Sequence, residues 1–395
     1  MPQTDRACLR YIYEPVSARE EFAGIPWLSK PTDWSQDRLM EKLWEPITIG
    51  QMTLKNRLAM APMTRDRATP DGVPTELSAT YYGQRASFGL IVTEGTQPSD
   101  DGQGYLFTPG IYTQEQIAGW KLVTDKVHAE GGRIYIQLMH VGRIAHPANT
   151  PHGRLPVAPS AIRPAGKMFT MQGPQDMPEP RELSIPEIDE TIRDFRHAAA
   201  CAIAAGADGV EIHGANGYLL HQFLSENANR RSDEYGASIA NRVRFAVKVA
   251  AAVADEIGAG RTAFHISPGN AFNDIVEGDT SALYTSLITQ LAPLNLAFLS
   301  TVHAGDDELL RWIRQAWPTS LLVNRQDRPR ADIAIDVESG SADMASVGKF
   351  ALANPDLVAR LKSGAALNAP DPNTFYSGGE RGYTDYPALT PITAG

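Results

Sequence analysis

Residues 211–218 read Glu-Ile-His-Gly-Ala-Asn-Gly-Tyr. His213, Asn216 and Tyr218 carry groups able to do chemistry. They follow a short apolar run, Gly209-Val210-Glu211-Ile212, of the kind that forms a buried strand. A strand ending there delivers all three groups to one end of a sheet. His213 and Asn216 can each donate a hydrogen bond to the same oxygen atom. Tyr218 can supply a proton, since an unperturbed phenol has a pKa near ~10 and is protonated at neutral pH. Two donors beside an acid suit reactions in which negative charge develops on a carbonyl or nitro oxygen while a carbon is protonated. Taken alone, three polar residues in eight fit backbone satisfaction and packing better than chemistry, so the rest of the chain decides.

The chain has 395 residues, enough for one large domain or two ordinary ones, and enough for an α/β barrel with insertions. With 43% hydrophobic and 21% charged residues, its composition is that of a soluble globular protein. A formal net charge of −10 argues against a nucleic-acid binder, although a local basic pocket for one phosphate remains compatible. The N-terminus shows no apolar signal region and no run approaches membrane-spanning length. The expectation is therefore a cytoplasmic protein without membrane attachment. The two cysteines, Cys8 and Cys201, supply neither a disulfide framework nor a thiolate metal site. His128, His140, His146 and His152 lack ligand spacing, so no metal is expected.

The elements that must position these groups alternate from residue 43 onward. Short runs rich in Val, Ile and Leu predict strands over 57–63, 90–96, 133–139, 209–215, 262–267, 297–302, 320–325 and 343–349. Helical patterns lie between them. Thr113-Gln114-Glu115-Gln116 and Ser184-Ile185-Pro186-Glu187 fit capping boxes, and Asn354-Pro355 fits an N-cap followed by proline. Eight strand–helix alternations imply a (β/α)8 TIM barrel over residues 44–390. The competing doubly wound sheet should carry a glycine-rich turn after its first strand, where this chain has Ala61-Pro62-Met63-Thr64-Arg65. Residues 145–183, rich in Pro and Gly, read as a capping loop after the third strand, and 100–112 as a second lid. Residues 1–43 form an arm that either packs on the barrel or a partner subunit, as in a homo-oligomer, or is a disordered tail.

Barrel enzymes place their chemistry at the C-terminal ends of the strands. Those ends hold Ala61-Pro62-Met63-Thr64, Glu94-Gly95, Gln137, the His213/Asn216/Tyr218 set, His265, Asn324-Arg325 and Gly348-Lys349. Such a ring of donors and acceptors suits a flavin. Gln137 can pair with the ring edge, Thr64 can bond near the reactive locus, and Gly95 lets backbone approach closely.

Longer motifs point the same way. Asn229-Arg230-Arg231-Ser232-Asp233-Glu234-Tyr235-Gly236 with Asn241-Arg242 extends the first pattern. Asn56-Arg57 precedes Met60-Ala61-Pro62-Met63-Thr64-Arg65, and Gln137-Leu138-Met139-His140-Val141-Gly142-Arg143 ends the third strand. Ser267-Pro268 with Phe272-Asn273-Asp274, Ala353-Asn354-Pro355-Asp356-Leu357, and Phe375-Tyr376 through Gly382-Tyr383-Thr384-Asp385-Tyr386-Pro387 complete the set. Across residues 43–387 the chain resembles the old yellow enzyme family of flavin-dependent ene-reductases, in its Thr-containing form. The resemblance implies non-covalent FMN held by Ala61, Pro62, Met63, Thr64, Gly95, Gln137, His213, His265, Asn324, Arg325, Gly348 and Lys349. It implies reduction of that flavin by NADPH or NADH, then hydride transfer to the β-carbon of a small activated alkene, in ping-pong fashion. His213 and Asn216 would hold the activating group, Tyr218 would protonate the α-carbon, and Phe272 and Tyr376 would line the substrate pocket.

Three positions depart from the family pattern, all on the flavin side. His265 stands where an arginine is usual beside the ring, replacing a permanent cation by a titratable group. Asn324-Arg325-Gln326-Asp327-Arg328-Pro329 replaces a glycine-rich phosphate turn, and Lys349 replaces an arginine. Loss of a fixed cation is expected to make flavin reduction harder. The competing reading is a flavin-poor or flavin-free relative that uses the same three groups for an isomerisation or cyclisation, or that only binds a ligand.

Overall fold

The computed structural model describes residues 40–326 and 328–389. All but residues 40–43 of the expected N-terminal arm, together with Cys8 and Asp327, lie outside them.

Eight parallel strands close into a barrel. In chain order they are β1 (Leu58–Met60), β2 (Leu90–Thr96), β3 (Ile134–Leu138), β4 (Gly209–His213), β5 (Thr262–Ile266), β6 (Phe298–Val302), β7 (Ser320–Asn324) and β8 (Met344–Val347). Pairing of β8 with β1 and of β3 with β4 completes the circle. Every predicted strand is present, most of them trimmed by one or a few residues.

Alternation along the strands separates two environments. Residues such as Ile134, Ile136, Val210, Ile212, Phe264, Ile266, Leu299, Leu321 and Val323 are buried in the large core shared with the surrounding helices. The other face fills the barrel. Its lower layer is apolar: Ala59, Leu90, Val92, Tyr135, Ala263, Phe298, Leu322 and Met344 pack with Ile49 and Leu54. Those last two belong to a hairpin, Ile47–Ile49 paired with Met52–Leu54, which packs into this inner cluster. Two residues further along β3, β5, β6 and β7 the same face turns polar, with Gln137, His265, Ser300 and Asn324 following Tyr135, Ala263, Phe298 and Leu322. The sequence thus builds an apolar floor and a polar layer above it.

Both predicted capping boxes form. In the Gln114–Ala129 helix, Gln116 N–H reaches Thr113 Oγ1 at 3.3 Å, while Thr113 N–H reaches Gln116 Oε1 at 3.2 Å. Thr113→Ala is expected to lower stability by about 1 kcal/mol in urea unfolding; an unchanged midpoint would show that the cap is dispensable. The third helix start is corrected: the helix begins at Leu357, with Asp356 at the cap position. Asn354 instead turns its side-chain amide to Phe350 O and Asn368 O, tying the helix Lys349–Ala353 to the loop at Asn368.

The capping segment after β3 is partly structured. Val157–Ala158 pairs with Arg181–Glu182, and Lys167–Thr170 forms a hairpin with Gly173–Asp176. No helix among the described residues is long and apolar enough to cross a membrane.

Candidate active site

Above the apolar floor runs a buried chain of hydrogen bonds. Gln137 Nε2 donates to Glu211 Oε1 at 2.8 Å, and Ser300 Oγ donates to Glu211 Oε2 at 2.5 Å. Ser300 Oγ in turn lies 2.7 Å from His265 Nδ1. Glu211 is 1% exposed, and burial pushes its carboxyl up to about 7 against the pull of Ser300 and Gln137. Burial pushes His265 down to about 4, so it carries no charge at neutral pH. A bulge in β2 between Val92 and Gly95 helps to place Gln137. It lets the Gln137 N–H bond to Thr93 Oγ1 at 3.1 Å.

His213 ends β4 with its ring edge-on to both His265 and Tyr218, at 5.3 and 5.0 Å between centroids. Its Nδ1 accepts from Ala215 N–H at 3.2 Å. The proton of the neutral ring must then sit on Nε2, which becomes a donor. Burial, reinforced by His265 and His221, holds this ring neutral well below the ordinary histidine range.

Asn216 adopts a left-handed conformation, φ 54°, which asparagine tolerates better than most residues. The segment after β5 clamps it. Asn216 N–H donates to Ser267 Oγ, Asn270 Nδ2 donates to Asn216 Oδ1, and Asn273 Nδ2 donates to Asn216 O, at 2.9, 3.0 and 2.8 Å. With its side-chain oxygen engaged, Asn216 has its NH2 to offer. Gly217 permits this close approach, because a Cβ there would lie 2.5 Å from Asn273 Cβ.

The same loop is braced from beneath. Gly217 N–H donates to His221 Nδ1 at 3.1 Å, and His221 Nε2 meets Glu277 Oε1 at 2.7 Å. Tyr284 OH, Gly269 N–H and Thr280 Oγ1 also donate to this carboxylate. Burial opposes the charge on Glu277, but the His221, Gly269 and Thr280 donors outweigh it and hold the carboxyl below its ordinary value. A depressed folded pKa stabilises above the unfolded value and stops stabilising as pH falls through the folded one. Glu277→Ala strands several buried donors and is expected to lower stability by about 3 kcal/mol at neutral pH. The difference from wild type should shrink on acidification; urea titrations at both pH values measure it, and a pH-independent difference would contradict the assignment.

Tyr218 is 7% exposed and lies in an apolar cluster with Met139, Val141, Ile144, Met168 and Met177, drawn from the end of β3 and the capping segment. Its hydroxyl is 3.0 Å from that of Tyr105, which comes from the second predicted lid. Opposite, Arg65 and Arg67 bind the C-terminal segment through its carbonyls. Arg65 reaches Phe375 O and Gly382 O, and Arg67 reaches Thr374 O, Ser377 O and Gly379 O. Tyr376, 38% exposed, rides on this strap, and Phe272, 44% exposed, sits beside Gly217.

Ala61, Pro62, Met63 and Thr64 follow β1, next to Gly348: a Cβ on that glycine would come within 3.4 Å of Met63 Sδ. Lys349 is exposed beside them. The face of Gly95 is filled by Met139, whose Sδ and Cε would both be 2.5 Å from an added Cβ. Asn324 ends β7. Arg325 is committed elsewhere: Nε and Nη2 grip the two oxygens of Asp336 at 2.9 Å each, and Nη1 reaches His303 and Asp307. Arg328 adds a bond to Asp336.

Sequence reasoning singled out His213, Asn216 and Tyr218 but missed Glu211, Ser300, Tyr105 and the His221–Glu277 brace. A signal existed for two of them, since a carboxylate and a serine in otherwise apolar strands, on the inward parity of their neighbours, announce a buried polar pair. Nothing local marks Tyr105.

The model of the NADH:flavin oxidoreductase / NADH oxidase family matches residues 42–368. A probable flavin mononucleotide-dependent alkene reductase of Leishmania infantum is 42% identical over 362 residues, covering 89% of this chain and 98% of that protein. The 12-oxophytodienoate reductase 1 of Oryza sativa subsp. japonica is 40% identical, covering 89% and 94%. Among solved structures, morphinone reductase in complex with tetrahydroNAD superposes with a TM-score of 0.85 at 40% identity, covering 89% of this chain and 99% of that one. The old yellow enzyme homologue from Zymomonas mobilis gives 0.85 at 38%, covering 88% and 100%.

Proposed function

The chain belongs to the NADH:flavin oxidoreductase / NADH oxidase family, and from that premise we propose that His213, Asn216 and Tyr218 are the groups with which it reduces activated alkenes. It is an FMN-dependent oxidoreductase that takes its electrons from NADPH or NADH and reduces the C=C bond of small molecules activated by a carbonyl or nitro group. The polar layer suits a flavin ring. The amide nitrogen of Gln137 is held by Glu211, which leaves its oxygen as the acceptor, and His213 and His265 add nitrogens beside it. Gly348 and Lys349 would take the phosphate, with Arg325 contributing little because Asp336 and Asp307 neutralise it. FMN, when bound, would supply hydride chemistry at the β-carbon. His213 Nε2–H and the Asn216 NH2 hold the activating oxygen, Tyr218 gives its proton to the α-carbon, and Phe272 and Tyr376 border the pocket.

One observation supports this reading: at the C-terminal end of β4 the His213 ring meets both Tyr218 and His265 of the polar layer edge-on, and Asn216, in the same loop, has its side-chain oxygen engaged by Asn270. The relatives matched across most of the chain count against the flavin-free isomerase or ligand-binding alternative. A cytoplasmic location belongs to the same proposal, supported by the free, buried Cys201. The test is the visible spectrum of the purified protein, followed by anaerobic NADPH or NADH and then an enone. Bleaching by the nucleotide and recovery by the enone are expected; a protein that retains no flavin after incubation with FMN would defeat the proposal.

A further inference from the structure

The Gln137–Glu211–Ser300–His265 chain is more than a scaffold, because its Glu211–Ser300 and Ser300–His265 hydrogen bonds can reverse together. When Glu211 is ionised it accepts from both Gln137 Nε2 and Ser300 Oγ. Ser300 has one proton, so its oxygen must then accept from His265 Nδ1–H, and His265 Nε2 is left as a bare acceptor. When Glu211 is protonated, its O–H donates to Ser300, Ser300 donates to His265 Nδ1, and the ring proton moves to Nε2. One proton on a buried carboxyl thus switches His265 Nε2 from acceptor to donor. The ring itself never becomes charged.

We propose that Glu211, Ser300 and His265 form a proton relay that loads one proton when the bound flavin is reduced, so that His265 offers the ring an N–H in place of a fixed cation. This rests on the flavin reading above. The balance is simple. NAD(P)H delivers two electrons and one proton as hydride, leaving the ring with one added negative charge. One solvent proton neutralises Glu211, and the summed charge of ring and relay is unchanged. The neighbours allow it. Gln137 and Ser300, on β3 and β6, meet the Glu211 carboxyl as neutral groups. His213, on β4, is the titratable group facing His265 on β5, and it stays neutral. Burial brings the Glu211 carboxyl to about 7, where a nearby negative charge suffices to load it.

The experiment uses the FMN-loaded enzyme, 15N-labelled at histidine, with the His265 signal assigned through His265→Gln. In the oxidised enzyme, the tautomer is expected to pass from Nε2–H to Nδ1–H as pH rises through about 7. Reduction by dithionite above that pH is expected to restore Nε2–H. The midpoint potential supplies a second readout. Each proton taken up with two electrons shifts it by about 30 mV per pH unit. A slope of about 60 mV per unit is therefore expected just above pH 7, falling to about 30 below it. Glu211→Gln keeps a donor toward Ser300, pinning His265 as Nε2–H and giving about 30 mV per unit throughout. Ser300→Ala uncouples the His265 tautomer from the pH titration. A His265 tautomer indifferent to pH and to reduction, or a Glu211→Gln slope equal to that of wild type, would overturn the relay while leaving the reductase intact. A protein that binds no flavin would overturn both.

Discussion

Replacing Tyr218 by phenylalanine is expected to leave flavin reduction by NAD(P)H at its wild-type rate and to slow alkene reduction by roughly 10²- to 10⁴-fold, the usual contribution of a positioned general acid. The change removes one oxygen and keeps the ring that packs edge-on to His213 and against Met139, Met168 and Met177. Folding and flavin binding should survive, so the two half-reactions can be compared directly by stopped-flow. Tyr105 sharpens the assignment. Its hydroxyl touches that of Tyr218, and burial together with Tyr218 raises its phenol well above the ordinary range, so it keeps its proton. If a water or Tyr105 substituted freely for the missing hydroxyl, Tyr218→Phe would turn over an enone at the normal rate, and Tyr218 would cease to be the acid.

Removing the donors to the substrate oxygen should have effects of similar size. His213→Ala and Asn216→Ala are each expected to slow the alkene step by roughly 10²- to 10³-fold. The double variant should lose less than the product of the two, because both groups act on one oxygen. The pH profile adds a sign. His213 donates through Nε2 only while Nδ1 accepts from Ala215. Protonating the ring turns Nδ1 into a donor facing that backbone N–H and breaks the arrangement. Since burial keeps the ring neutral well below the ordinary histidine range, no loss of rate from His213 is expected near pH 6.5. A rate limb at that pH that disappears in His213→Ala would contradict the neutral assignment.

The barrel was legible because parallel strands buried on both faces leave a coarse signal, and all eight were located by their Val, Ile and Leu runs. Several ends were read too long: beyond Met60 and His213 only Ala61 N–H, to Val347 O, and Gly214 N–H, to His265 O, still bond to a neighbouring strand, and the regular ladder has stopped. The capping boxes at Thr113 and Ser184 were legible because both partners lie within one turn. Asn354 was misread because Asn-Pro looks the same whether the amide caps a helix or ties down a distant loop. The candidate site's groups were legible where they are neighbours in sequence, as in 213–218. They were obscure where partners lie far apart, as with Glu211 and Ser300, or Tyr105 and Tyr218, because only barrel closure and the lid bring them together. Arg325 shows the remaining limit. Its charge suited a phosphate on paper, yet Asp336, in the short helix Ile335–Ser339, pairs with it.

On the proposed reading, the two sides of the site differ in stiffness. On the oxygen side, Asn216 is fixed by three hydrogen bonds and His213 by the backbone of Ala215. Around Tyr218 pack the thioethers of Met139, Met168 and Met177, unbranched chains that repack at little energetic penalty. An enzyme so built is strict about where a substrate carries its activating group and lenient about the shape of what hangs from it. Catalogues of accepted alkenes should therefore vary widely in their hydrocarbon parts while sharing one disposition of oxygen and double bond.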